Sequence, residues 1–143
     1  MKTRIIYSAA LVVLFLLIPA ALHAQMPIKQ PLMQVDIPFA FVAGGVHLPA
    51  GQYRVYHPGD PYLVVIEKDD GRARAMTYVH PSATGADKSS TKLVFNKYGD
   101  EYFLSQVWTE ADREVHQCFK CQKESALLAG SSKPQLVVVA AKR

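Results

Sequence analysis

The stretch VDIPFAFVAGGVHLPAGQYRV, residues 35–55, alternates apolar and polar side chains and is broken twice by glycine- or proline-rich punctuation. A period of two marks a strand with one buried face, because successive side chains point to opposite faces of a sheet. Val35, Ile37, Phe39 and Phe41 fall on one face, with Asp36, Pro38 and Ala40 on the other. Pro38 has no amide proton to give a ladder, which predicts an edge strand or a bulge. Gly44-Gly45 and Pro49-Ala50-Gly51 are turn signals, and Val46, Leu48, Tyr53 and Val55 add inward-facing candidates. The stretch reads as scaffold, not as a site.

The same pattern continues along the chain. YLVVIEK (62–68) is apolar on both faces, as a central strand covered on each side would be. Asp69-Asp70-Gly71 suits a tight hairpin turn, since Asp-Gly takes positive φ readily. The returning strand, Arg72–Val79, sets Arg72, Arg74 and Met76 against Ala73, Ala75 and Thr77. HPSATGADKSS (80–90) reads as a polar loop, and TKLVFNKYGDEYFLSQVWTE as a second hairpin turning at Gly99-Asp100. On its second strand Tyr102, Leu104, Gln106 and Trp108 share a face; such aromatics predict core, with Trp108 largely buried.

From Thr109 to Ala129 the period changes. Val115, Cys118, Phe119, Ala126 and Leu127 approach helical spacing, Thr109 and Asp112 can cap the start, and Gly130 suits the stop. The spacing predicts an amphipathic helix over about 111–129, followed by a last strand in QLVVVAA (135–141). The fold expected is mainly β: an antiparallel β-sandwich or small barrel of about six to eight strands with one C-terminal α-helix.

The N-terminal end has a different grammar. MKTRIIYSAALVVLFLLIPAALHAQ has two basic residues, an apolar centre and a small residue before Gln25, the layout of a secretory signal peptide. The expected division is a signal peptide at 1–24, a flexible arm at 25–33 and one β-rich domain at 34–143. The apolar run 5–22 approaches the length of a membrane span, but cleavage after Ala24 would leave no span in the mature chain. Removing Lys2 and Arg4 from the 16 basic residues leaves 14 against 12 acidic ones, a net charge of +2. No Lys/Arg cluster interleaved with aromatics appears, so no nucleic-acid partner is expected.

The chemistry-bearing residues are few. HQCFKC places His116, Cys118 and Cys121 together. Gln122 stands where Cys-x-x-Cys-His haem attachment needs histidine, and a thioredoxin-like pair should open a helix in a βαβ setting. A metal site built on His116, Cys118 and Cys121 needs a fourth ligand, for which His47, His57 and His80 are available. A Cys118–Cys121 disulfide fits an oxidising compartment, although three-residue spacing on a regular helix requires distortion to bridge. Ser105, His57, His80, Asp60 and Asp100 form no nucleophile elbow, and Glu67 with Glu101 or Glu110 is a carboxylate pair by composition alone. No catalytic residue and no cofactor is expected.

IPFAFVAGGVHLPAGQYRV and TKLVFNKYGDEYFLSQVW resemble two blocks found in small exported proteins of Acidobacteria. The resemblance covers most of residues 35–108 and implies export and strand–turn–strand architecture; it carries no catalytic or binding residue. The expected function is a non-enzymatic binding or structural module of the cell envelope or extracellular space, periplasmic or extracellular. Sheet edges near Pro38 are its expected contact surface for a protein partner or a second copy. The alternative is an exported metal-binding or thiol-redox protein using His116, Cys118 and Cys121.

Overall fold

The computed structural model describes residues 31–82, 90–110, 115–130 and 133–142. Among them the chain forms β1 (Met33–Ile37), β2 (Phe41–Ala43), β3 (Val46–Leu48), β4 (Gly51–Tyr56), β5 (Leu63–Lys68), β6 (Arg74–Ser82), β7 (Lys92–Tyr98), β8 (Glu101–Trp108), β9 (Val115–Cys118), a helix α1 (Gln122–Ala129) and β10 (Gln135–Ala140). Among the described residues the chain is mainly β with one C-terminal helix, as the sequence predicts. The signal peptide and arm expected at 1–33 lie almost wholly outside the described residues. No helix among the described residues is long and apolar enough to cross a membrane.

The ten strands form a single mixed sheet in the order β1-β4-β5-β6-β9-β8-β2-β3, with β7 pairing β8 and β10 pairing β7. This is more strands than the six to eight expected, and one pair, β2 with β8 through Val42 and Phe103, is parallel. β7 covers one edge of β8 along its length, so β9 and β2 share the other. The two ends of the sheet meet through a single bridge, Val35 to Ala141, and the Lys142 amide donates to Gln34 at 2.8 Å. The sheet thus curls over its core without closing into a barrel.

The core lies inside that curl. Val35, Ile37 and Phe41 enter it from one face, as their alternation requires, with half-buried Phe39 packed against them. Phe39 stacks on Tyr102 at 3.9 Å and meets the edge of Phe95 at 5.3 Å. Tyr53 and Val55 from β4, Val64 and Ile66 from β5, and Leu93 and Phe95 from β7 complete it. Val65, on the opposite face of β5, is fully buried too, so β5 is covered on both sides as its sequence predicts. Pro38 follows β1 directly and ends it. Gly44 and Gly45 make the two-residue turn of the β2–β3 hairpin, both at positive φ, +56° and +84°.

Two expectations need correction. The helix is short, Gln122–Ala129, and does not begin near 111: residues 115–118 form β9, paired with β6 on one side and β8 on the other. Four residues are too few to distinguish a period of 2 from one of 3.6, and backbone pairing on both edges decides the outcome. Trp108 is half-buried, not core. Val94 pairs with Gln106 but Phe95 pairs with Leu104, so Ser105 is an extra residue bulged out of the β8 register. A bulge reverses which parity points inward. Tyr102 and Leu104 face the core before it and Val107 after it, leaving Trp108 outside beneath Lys92, whose Nζ lies 4.2 Å from the ring centre.

Candidate functional site

Cys118 and Cys121 are free thiols. Cys118 ends β9 within the main core, opposite Val79 of β6. Cys121 is the N-cap of α1 and packs, half-buried, beside Val42, Tyr98 and Phe103 on the other side of the sheet. Strand end and helix start separate the pair, so a spacing that would share one helix face instead serves two apolar clusters. Burial pushes the Cys118 thiol up to about 12, and the nearby Glu124 carboxylate pushes it the same way. A thiol held protonated at neutral pH is a poor nucleophile.

His116 is buried on β9, with its ring 5.4 Å from that of His57. His57 donates from Nδ1 to the Leu63 carbonyl at 2.8 Å. Of the other histidines, His47 is exposed on β3 and His80 is exposed on β6 beside Phe119. Among the described residues no group of three or more His, Cys, Asp or Glu side chains is placed to hold a metal ion. The structure therefore gathers two histidines but does not assemble His116, Cys118 and Cys121 into a ligand set.

The residues that hydrolysis would need serve local structure. Ser105 takes a hydrogen bond from Gln117 Nε2 at 3.2 Å on its hydroxyl and another at 2.9 Å on its carbonyl. Gln117 in turn accepts from Gln106, which accepts from the Trp108 indole, tying β8 to β9 across the bulge. Asp60 accepts the Tyr62 amide at 2.8 Å. Glu67 accepts the Tyr56 hydroxyl at 3.0 Å, while Glu101 pairs with Lys123 of α1. Glu67 and Glu101 thus serve separate contacts, one a hydrogen bond and the other an ion pair.

What stands out instead is an apolar groove on the outer face. β6 alternates buried Ala75, Thr77 and Val79 with outward Arg74, Met76, Tyr78 and His80. Outward positions on a strand are ordinarily polar, yet Met76 is 52% and Tyr78 63% exposed. β9 leaves β6 after Cys118; the next residue, Phe119, donates its amide to the Tyr78 carbonyl at 3.1 Å and lays its 59%-exposed ring over His80. Met76, Tyr78 and Phe119, with Gly44, Thr77, Lys120 and Cys121, line an open groove of about 590 Å³. Gly44 forms its far wall: a Cβ there would stand 2.0 Å from the Met76 carbonyl oxygen.

Little in the sequence announces this site. The one legible signal is the pair of large apolar residues, Met76 and Tyr78, at outward positions of β6; Phe119, expected within a helix, lies between β9 and α1. Bringing them together requires β9 to lie beside β6, which no local pattern announces. Among known proteins, no family model, no curated protein and no solved structure matches the chain, so the groove itself must carry the functional reading.

Proposed function

We propose that this protein is a non-enzymatic binding module, exported to the periplasm or the extracellular space, that takes an extended peptide segment into the groove along β6. The observation that supports it is the run of exposed Met76, Tyr78 and Phe119 beside Lys120. Contiguous exposed apolar surface on a soluble face marks an interaction site, and aromatic and methionine side chains are the residues such sites favour. Among the described residues lining the groove the one charged side chain is cationic, Lys120, and Arg74, next outward on β6, stands opposite Glu67 of β5. The occupant that fits is therefore an extended segment alternating large apolar side chains with carboxylates. The resemblance to exported proteins supports the location.

The test is a titration followed by amide NMR, with a short peptide alternating valine or phenylalanine with aspartate as the probe. The expected result is shift changes confined to Met76–Tyr78 and Phe119–Cys121. Replacing both Tyr78 and Phe119 with serine abolishes them without changing the melting temperature, since both side chains are exposed. Lys120→Glu weakens binding several-fold and steepens nothing else. Peptide shifts spread elsewhere, or unaffected by the double variant, would remove the reading.

A further inference from the structure

The chain has four methionines, and the two among the described residues have opposite settings. Met33 in β1 is 5% exposed and lies in the main core, on the face it shares with Val35 and Ile37. Met76 in β6 is 52% exposed and lines the outer groove with Tyr78 and Phe119. Met1 and Met26 lie outside the described residues.

Met76 is held in that place from both sides. On one side it pairs with Val65 of β5, which is fully buried, and cross-strand partners stand side by side on one face. On the other side the Gly44 turn closes so tightly on the Met76 carbonyl that no Cβ would fit. The strand has little room to shift, so a chemical change at this side chain must be taken up by the groove. A thioether in such a wall is apolar and adaptable, which suits it to packing against a partner.

The same sulfur is open to oxidation. A peroxide transfers one oxygen atom to a thioether: an S–O bond forms, the O–O bond breaks, the sulfur gives up two electrons, and hydrogen peroxide leaves as water. The product, a sulfoxide, is polar where the thioether was apolar. Burial shields Met33 from this reaction, and it shields the Cys118 thiol likewise. Cys121, half-buried, is the other sulfur lining the groove. In the exported location proposed above, no cytosolic thiol pool keeps sulfur reduced.

We infer that Met76 is an oxidation site that turns the groove off: a peroxide converts its thioether to the sulfoxide, and the oxidised groove releases the extended apolar, carboxylate-bearing segment. The inference rests on the docking reading above and adds its regulation. The sulfoxide oxygen is a new acceptor within the apolar run. Left unpaired beneath the segment's apolar side chains, it carries a desolvation cost that arises only in the complex. Paired with Lys120, the one charged side chain among the described lining residues, it takes the donor that the segment's carboxylate needs.

The experiment treats the full chain, as recovered from the producing cell, with hydrogen peroxide, locates the added oxygen by peptide mass, and titrates the same alternating peptide before and after. Met76 should gain one oxygen well before Met33, and the protein oxidised there should bind about tenfold more weakly. Reduction by a methionine sulfoxide reductase with dithiothreitol should restore the affinity. Met76→Leu sets its own affinity, which peroxide should leave where it was. Equal rates of oxidation at Met33 and Met76 overturn the inference. So does a loss of binding that persists in Met76→Leu, which would place the switch at Cys121. Equal binding by the reduced and oxidised proteins removes the regulation alone, whereas a reduced protein that binds no peptide removes the docking reading and its regulation together.

Discussion

Glu124, on the buried face of α1, accepts a hydrogen bond at 2.7 Å from Asn96 Nδ2 on β7. Tyr98, also on β7, donates to the same carboxylate oxygen at 3.4 Å. The helix is short and buries little else: Glu124 is 2% exposed, and Leu127 and Leu128 are its half-buried contacts with the sheet. An eight-residue helix has marginal stability of its own, so this polar pin and the small apolar cluster beside it hold α1 in place.

Removing the acceptor strands two buried donors. Glu124→Ala should therefore destabilise the protein by about 1–3 kcal/mol in urea unfolding. Glu124→Gln, which keeps a carbonyl oxygen where Asn96 donates, should cost less. Asn96→Ala combined with Glu124→Ala should fall short of the sum of the single effects, because both break one contact. Strict additivity would mean that the two residues act separately.

The β2–β3 turn offers a sharper contrast. Gly44 and Gly45 both have positive φ, but a Cβ at Gly44 would overlap the Met76 carbonyl, whereas at Gly45 it would meet only Cys121 Cβ at 3.9 Å. Gly45→Ala bears the backbone penalty alone, about 1–2 kcal/mol. Gly44→Ala adds a collision between two backbones and should cost about 2–5 kcal/mol. Thermal or urea melts of the two variants decide the matter; equal losses would mean that the hairpin does not lie against β6.

Stability should fall in alkali. The Cys118 thiol is raised from 9.0 to about 12 in the folded protein, chiefly by burial. Its contribution is complete below the unfolded value and is lost as pH climbs from about 9 toward 12, because only the unfolded chain releases the proton there. The slope from one such group is about 1.4 kcal/mol per pH unit. Burial also raises Tyr53, Tyr56 and Tyr98, which extend the decline in the same direction above pH 10. Cys118→Ala should start less stable and lose stability less steeply between pH 9 and 11. Parallel curves would show that the thiol is not buried as described.

The thiols should also differ in reactivity. With Cys118 buried and Cys121 half-exposed, an aromatic disulfide reagent should titrate one thiol in the native protein and the second only after unfolding. A Cys118–Cys121 disulfide would give neither, with a mass about two daltons below that of the reduced chain.

What the sequence alone determined is the set of elements whose stabilisation is local. Alternation placed Val35, Ile37 and Phe41 on a buried face and set Ala75 and Thr77 apart from Arg74 and Met76, because a period of two follows from strand geometry whatever the partner strand. Gly44-Gly45, Asp70-Gly71 and Gly99-Asp100 marked their turns for the same reason: positive φ is a property of single residues. Tertiary structure decided wherever the outcome depended on a distant partner. Backbone pairing with β6 and β8 made residues 115–118 a strand instead of the start of a helix, and one extra residue in the β8 register, at Ser105, turned Trp108 out of the core. Cys118 and Cys121 parted for the same cause, since the end of β9 and the start of α1 lie on different clusters. The groove follows the same rule: Met76 and Tyr78 show in sequence as large outward residues of β6, but their meeting with Phe119 depends on β9 lying beside β6. Hydrogen-bond partners across a sheet are chosen by the whole fold, not by the segment that presents them.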